Sequence, residues 1–456
     1  MKNWILGAAI AIGITSAAQA QMRATGDAAT WLDANTQTEH TALKRQVQSL
    51  QTGSAMEYYL NLRRSKLKGL SLNTATAADS AFKPTISVGA LMHVVGAGFQ
   101  DRGSADPNVT VDQGWQRQLF NYRTRLLVGG NVSAKTSWFI ETEVPTVDGI
   151  GWGAGDSTRD IQVSPIILDA QVEHKFNDMF SIIAGMQLVG INRNQLQGAA
   201  SLMGVDFGYY QYNYSLTENS PLQNNYGRDI GVNFRGFFLD NHLEYRLGFF
   251  GGRSWDNKGP FRTIARLCYN FLDTETGQYY TGNSLGSGKY LSIGAGVDLQ
   301  GGYTAFGADA FLDIPVSDGL SIMANTSYSM LNGGDPVNPY NMGTLIPQQS
   351  ILFGEVGLYA KKAKLSPFFI IEMNTFDGDR AQLGLSENAT SEQLDIANEL
   401  RNISRMGGGL CYYFNGYNAN VKLQYITDSV NSLNPDGNVV TLNRGVIWAQ
   451  LQLFVF

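Results

Sequence analysis

The chain has 456 residues, with 33 basic and 39 acidic side chains and a formal net charge of −6 at pH 7. That near balance excludes the strongly basic surface of a nucleic-acid binder, and two cysteines exclude a disulfide framework. Charged residues are only 16% of the chain, against 51 glycines, 21 tyrosines and 23 phenylalanines; aromatic and apolar groups suit a lipid-facing surface, small and polar groups an aqueous lumen.

The first segment sets the compartment. Lys2 is a positive n-region, Trp4 to Thr15 an apolar h-region and Ala18-Gln19-Ala20 a small-residue cleavage site, so residues 1–20 read as a secretory signal peptide cleaved after Ala20. The apolar run is well short of the ~20 residues a helix needs to span a bilayer. No cysteine lies near the cleavage site to carry a lipid anchor. No later stretch is apolar enough for a spanning helix, which leaves a secreted soluble protein or a membrane β-barrel.

Residues 21–83 form a separate unit. Ala29 to Leu67 is polar and helical in composition, with Leu32, Leu43, Val47 and Leu50 as apolar positions, followed by the basic cluster Arg63, Arg64, Lys66 and Lys68. This is a short N-terminal helical segment with a coiled-coil-like pattern. A periplasmic oligomerisation stalk and a solvated, partly disordered leader both fit it.

From Pro84 the period changes to two. Segments alternate apolar and polar over 85–100, 116–131, 136–146, 164–176, 180–191, 228–238, 242–253, 261–272, 289–300, 304–314, 320–332, 350–361, 365–376, 400–414, 418–429 and 444–456. In His242 to Phe249, Leu243, Tyr245, Leu247 and Phe249 fall on one face, with Glu244, Arg246 and Gly248 on the other; Asp240-Asn241 before it is a tight hairpin turn. Sixteen is an even number, as single-chain bacterial barrels require. Short turns fall at one end and long connections at the other, except that 273–288 is long at the short-turn end and 301–303 is short at the opposite end. The expected fold is all-β: a closed transmembrane antiparallel barrel over 84–456, because an open sheet of this size leaves exposed edges. A closed barrel of this strand number encloses an aqueous channel.

Cys268 and Cys411 fall on separate strands and are expected to be free thiols. His40, His93, His174 and His242 are scattered without metal-ligand spacing. The last strand ends on Phe456, a terminal aromatic of the kind the barrel-assembly machinery reads. Trp448, Phe454 and Phe456 share a parity and are expected to face lipid, although Gln450 and Gln452 lie on the same face.

Several segments in order carry a family resemblance: Tyr122-Arg-Thr-Arg-Leu-Leu-Val-Gly-Gly, Trp138-Phe-Ile-Glu-Thr-Glu, Asp169-Ala-Gln-Val-Glu-His-Lys-Phe, Tyr226-Gly-Arg-Asp-Ile-Gly-Val, Leu243-Glu-Tyr-Arg-Leu-Gly-Phe-Phe-Gly-Gly, Arg266-Leu-Cys-Tyr-Asn-Phe-Leu-Asp, Leu291-Ser-Ile-Gly-Ala-Gly-Val-Asp and Gly307-Ala-Asp-Ala-Phe-Leu-Asp-Ile-Pro. Over about 84–456 the chain resembles the phosphate-selective porin O and P family. The resemblance implies a sixteen-stranded outer-membrane barrel, a homotrimer, and a third external loop folded into the lumen as the constriction. The longest connection, 192–227, stands in third place. No catalytic residue, cofactor or metal is expected of such a pore.

Parity then assigns inner faces. Arg123 and Arg125 point inward if Phe120, Tyr122, Leu126 and Val128 take the lipid face, and Glu141 and Glu143 point inward across the hairpin. A turn near Ser133 sets Arg125 opposite Glu141 and Arg123 opposite Glu143, a structural ion-pair lattice. Arg235 and Arg246 are expected opposite each other, with Arg262 and Arg266 on the next strand. That basic wall is a candidate for attracting anions. The other inward charges are acidic: Asp298, Asp309, Asp313, Glu355 and Glu372.

Phosphate specificity needs concentrated Arg or Lys donors. The constriction loop holds only Arg193, Asp206 and Glu218 as charges, with Arg228 just past its end; it carries Phe207, Tyr209, Tyr210, Tyr212 and Tyr214 instead. Such aromatics line a sugar path or, more often, pack a loop against the wall. The expectation is a passive, general or weakly anion-preferring pore for small hydrophilic solutes, set in outer-membrane lipid. The competing reading is an envelope scaffold or adhesin with no open pore. An outer-membrane lipase or protease needs a Ser/His or Asp/His set at the rim, and no residues here have that form.

Overall fold

The alternation that starts at Pro84 builds sixteen strands. They are β1 (Thr85–Gln100), β2 (Trp115–Ser133), β3 (Thr136–Glu143), β4 (Ile166–Asn177), β5 (Phe180–Leu188), β6 (Arg228–Phe238), β7 (Leu243–Phe250), β8 (Arg262–Asn270), β9 (Tyr290–Gln300), β10 (Tyr303–Ser317), β11 (Leu320–Asn332), β12 (Gln349–Ala360), β13 (Leu365–Phe376), β14 (Arg401–Asn415), β15 (Ala419–Leu433) and β16 (Val439–Val455). The computed structural model describes residues 82–111, 114–144, 166–208, 211, 227–252, 259–334, 348–376 and 401–456. The signal-peptide and helical-leader readings of 1–20 and 21–83 lie outside these residues, apart from 82–83.

Each strand pairs antiparallel with its sequence neighbours, and β1 closes on β16 through Ala90↔Val455 to Phe99↔Val446, giving a closed barrel. Closure leaves no strand at an open sheet edge. Among the described residues no helix is long and apolar enough to cross a membrane. Gly130 allows the close approach of β1 and β2 at one end: a Cβ there would sit 1.9 Å from the Thr85 carbonyl oxygen.

Burial is inverted relative to a soluble protein. On β7, Glu244 and Arg246 are buried while Leu247 and Phe249 are exposed. Exposed apolar side chains recur around the barrel, from Ile293 and Phe306 to Leu423 and Leu451. Phe176, Phe238, Phe271 and Phe414 stand exposed near the short-turn end. They sit in ring contacts such as Phe238–Tyr245 at 5.6 Å and Tyr412–Phe414 at 5.0 Å. This is the aromatic girdle expected where a barrel meets a membrane interface.

Four sequence expectations are corrected. First, Phe120 and Tyr122 do not face lipid. β2 carries a bulge: His93 pairs with Arg123 but Val94 pairs with Asn121, so Tyr122 is an extra residue. The extra residue reverses the parity beyond it, leaving Leu119 61% exposed and Phe120 buried. Second, Arg125 stands opposite Glu143, not Glu141, because the β2–β3 turn closes at Ser133↔Thr136 with a further irregularity after Asn131.

Third, the Trp448–Gln450–Gln452–Phe454 face of β16 is the inner one. Both glutamines are buried, and Ile447, Leu451, Leu453 and Val455 face out. Phe456 lies beyond the strand, exposed, with its ring 5.8 Å from that of Phe139. The β6–β7 turn is also wider than Asp240-Asn241. Phe238 pairs with Leu243, and Leu239, Asp240 and Asn241 all take positive φ (54°, 54° and 70°), a conformation that Asp and Asn tolerate better than Leu does.

Candidate functional site

The lumen is crossed by two connections. Residues 189–208 enter from the long-connection end after β5 and form two single-turn 3-10 helices, Asn194–Leu196 and Ala199–Ser201. Residues 271–289, the long connection at the short-turn end, enter from the other side between β8 and β9. They meet in an isolated parallel bridge, Gln197↔Tyr280. The Tyr280 amide donates to the Leu196 carbonyl at 2.9 Å and the Gly198 amide to the Tyr280 carbonyl at 3.0 Å. A backbone inside a barrel has few ladder partners of its own, so the wall must supply donors and acceptors.

The basic wall meets that need. Arg235 pairs in register with Arg246, and Arg246 with Arg266, giving a lateral row of three guanidiniums across β6, β7 and β8. Glu244 lies between the first two, accepting from Arg235 Nε at 2.6 Å and from Arg246 Nε at 2.8 Å. The arginines then turn to the second connection: Arg235 donates to the Gly277 carbonyl at 2.6 Å and Arg246 to the Gln278 carbonyl at 3.0 Å. Arg266 forms a two-point pair with Asp309 (2.5 and 3.0 Å) and donates to the Ile191 carbonyl at 3.0 Å. Arg262 pairs with Asp298 at 2.6 Å and with Asp229 at 3.1 Å.

Tyr280 sits at the centre of this set. Its hydroxyl donates to Glu244 at 2.6 Å, and the guanidinium carbons of Arg193, Arg246 and Arg266 lie 4.9, 5.0 and 5.3 Å from its ring centroid. Burial, then the adjacent Glu244 carboxylate, push the Tyr280 phenol above its ordinary range, which keeps the proton on the oxygen that donates. Arg193 is fully buried; it pairs with Glu275 at 2.7 Å and lies 3.6 Å over the Phe311 ring.

The first connection is held against the opposite wall. Asp206 accepts from both the Tyr122 hydroxyl and Arg123. The Val205 amide donates to Gln424 at 2.9 Å, and Gln452 donates to the Ala200 carbonyl at 2.9 Å. Lys422, itself buried, donates to the Leu202 and Gly204 carbonyls at 2.6 and 2.7 Å. Replacing Lys422 with methionine keeps the length and leaves both carbonyls unsatisfied, at about 1–3 kcal/mol each. A lower urea unfolding midpoint is expected; wild-type stability would show that the lysine does not hold the connection in place.

The side chains singled out by parity are placed as follows. Arg123, Arg125, Arg235, Arg246, Arg262, Arg266, Glu141, Glu143, Asp298, Asp309, Asp313, Glu355 and Glu372 all lie on the inner face, and none is more than 8% exposed. Arg125 bridges Glu141 (2.6 Å) and Glu143 (2.5 Å). Arg123 turns to Asp206 and to His93, whose Nδ1 is 3.3 Å away. Asp313 accepts from the Ser284 amide at 2.6 Å and Glu355 from Asn325 at 3.1 Å; Glu372 accepts from Gln211 at 3.3 Å. In the constriction loop, Phe207 is half-buried, its ring 5.5 Å from the Arg123 guanidinium. Tyr209, Tyr210, Tyr212 and Tyr214 lie outside the described residues.

Cys268 and Cys411 are both free and buried. Among the described residues no cluster of three or more His, Cys, Asp or Glu has the arrangement of a metal site. The carboxylates that neutralise the wall, Glu244 and Asp229, are on the polar parity of their strands. Glu275 and Tyr280 had only one signal, the unusual length of their connection.

No family model matches the chain, and no curated protein matches it. Solved structures do. The outer membrane channel DcaP of Acinetobacter baumannii aligns at 15% identity and a TM-score of 0.46, covering 83% of this chain and 99% of that one. An outer membrane protein of Vibrio cholerae, OmpT, aligns at 11% identity and 0.44, covering 82% and 98%. An anion-selective porin from Comamonas acidovorans aligns at 8% identity and 0.49, covering 82% of this chain and 100% of that chain.

Proposed function

We propose that the chain is an outer-membrane porin: a passive channel for small hydrophilic solutes whose width is set by two connections folded into one lumen. The observation that carries this is the inverted closed barrel, with apolar and aromatic side chains outside and charged and amide side chains inside. Such a surface is stable only in lipid, and a sixteen-stranded barrel of this kind is large enough to enclose water. Outer-membrane lipid surrounds it, the terminal Phe456 serves the assembly machinery, and the functional unit is a homotrimer.

The ion preference is weak. Arg235, Arg246, Arg262 and Arg266 face Glu244, Asp229, Asp298 and Asp309 at 2.5–3.1 Å, so the lumen is general or only weakly anion-preferring. The finer resemblance to the phosphate-selective family gains nothing from the first connection: its Arg193 is tied to Glu275 and to the Thr281 carbonyl.

The filled lumen also favours a second reading, an envelope scaffold or adhesin barrel with no open pore. Single-channel recording in a planar bilayer with a salt gradient separates the two. Small stable steps, with a reversal potential near zero or slightly toward chloride, support the porin. Block by low phosphate would restore the phosphate-selective reading, and silence would put the scaffold first.

A further inference from the structure

A cavity of about 510 Å³ opens in the lumen at the short-turn end, between the β16–β1–β2–β3 wall and the two in-folded connections. Leu91, Leu127, Phe139, Phe207 and Phe454 form its sides. Gly129 on the inner face keeps the space open: a Cβ there would meet the Phe139 ring at 3.3 Å and the Phe456 ring at 3.6 Å. The volume falls within the range of small-molecule sites, about 300–1,000 Å³, and such sites combine apolar walls with a few placed polar groups. Here the charged groups are Arg125, Glu141 and Arg228, and the polar groups beside them include Gln197, Gln278 and Tyr279.

The charges decide what fits. Arg125 is paired with Glu141 and Glu143 at 2.6 and 2.5 Å. Arg228 is paired with Asp169 at 3.1 Å and lies 3.8 Å from Glu141. Both guanidiniums are thus already held by carboxylates, Glu141 on the lining and Glu143 and Asp169 behind it, and an entering anion must compete with an existing partner for each. The Gln278 amide exchanges hydrogen bonds with the Gln171 amide at 2.7 and 2.8 Å, which leaves it one N–H and one lone pair to offer beside the carboxylate lone pairs, while the rings of Phe139, Phe207 and Phe454 offer faces and edges to a planar ring.

We propose that this cavity is a binding site for neutral solutes that carry an aromatic ring and hydroxyl groups, the chemistry of a nucleoside, and that it disfavours their anionic counterparts. The proposal rests on the porin reading for the route such a solute would follow, but not for the binding itself.

The test is calorimetric titration of the full chain, purified in detergent, with adenosine and separately with AMP at the same pH and ionic strength. The pair shares ring and sugar and differs by a charged phosphate. Saturable adenosine binding is expected, with AMP weaker by about tenfold or more, a difference of ~1.4 kcal/mol. Ser87 lines the cavity and is exposed. Ser87→Trp fills the mouth from an exposed position and is expected to abolish adenosine binding, while Ser87→Ala retains it; resistance to unfolding in SDS verifies that both are folded. Absence of saturable adenosine binding, equal or tighter binding of AMP, or unchanged binding by folded Ser87→Trp overturns the site. A barrel that conducts without binding adenosine overturns the site alone, and one that binds adenosine without conducting overturns the porin reading alone.

Discussion

Replacing Glu244 with glutamine is expected to be among the most damaging single substitutions in the barrel, at about 3–5 kcal/mol of stability, because it removes one partner of a buried charge network. The shape is preserved and only the charge is lost. Glu244 is 1% exposed and holds Arg235 and Arg246 at 2.6 and 2.8 Å. These two arginines are direct cross-strand partners, and Arg266 follows on the next strand; like charges set opposite one another are destabilising without a carboxylate between them. The Tyr280 hydroxyl would also lose its charge-assisted acceptor.

Urea unfolding in lipid vesicles reads the stability. The reversal potential reads the second consequence, a clear shift toward chloride as uncompensated arginines line the lumen. Combining Glu244→Gln with Arg246→Gln should recover part of the loss, since Arg235 then stands without its cationic neighbour. A Glu244→Gln barrel within about 1 kcal/mol of wild type, the worth of an exposed ion pair, would mean that water already screens this network.

Much of the fold is legible in the sequence because a barrel strand repeats one simple rule, alternation, and the membrane enforces it on every strand. The pairing of Arg235 with Arg246 follows from counting outward from Asp240-Asn241, which remains the centre of the wider turn. The two failures on β2 share one cause: a period of two carries no information about an inserted residue. The bulge at Tyr122 moves Phe120 from lipid to lumen without leaving a mark in the local pattern.

On β16 the terminal aromatic suggests the wrong face. Gln450 and Gln452, which sit awkwardly on a lipid face, are the residues that report the true one. The candidate site is legible only in part. Parity finds wall residues, but which carbonyl a buried lysine or arginine serves is a contact between distant segments. Lys422 reaches Leu202 across 220 positions and Arg193 reaches Thr281 across 88. Only the anomalous length of 273–288, at the end where turns are short, points to a second element in the lumen.

Shortening that connection is expected to give the largest functional change. Asp273 and Lys289 already face each other, the Asp273 amide donating to the Lys289 carbonyl at 2.8 Å and the Lys289 amide to the Asp273 carboxylate at 2.7 Å. Residues 274–288 can therefore be replaced by Asn-Gly, which closes a two-residue hairpin on the existing ladder. The change removes Tyr280 and Glu275 from the lumen, and with them the bridge to Gln197 and the partner of Arg193.

A roughly two- to fivefold rise in single-channel conductance is expected, because a barrel of this strand number leaves an aqueous channel once its interior segments are withdrawn. Arg235 and Arg246 lose the carbonyls of Gly277 and Gln278 and turn to water, so the enlarged channel should also favour chloride more than the wild type does. Both effects come from one element, which separates them from Glu244→Gln, where selectivity changes and width does not. If the shortened barrel is folded and its conductance is unchanged, ions do not pass alongside 271–289, and that connection does not set the width of the channel.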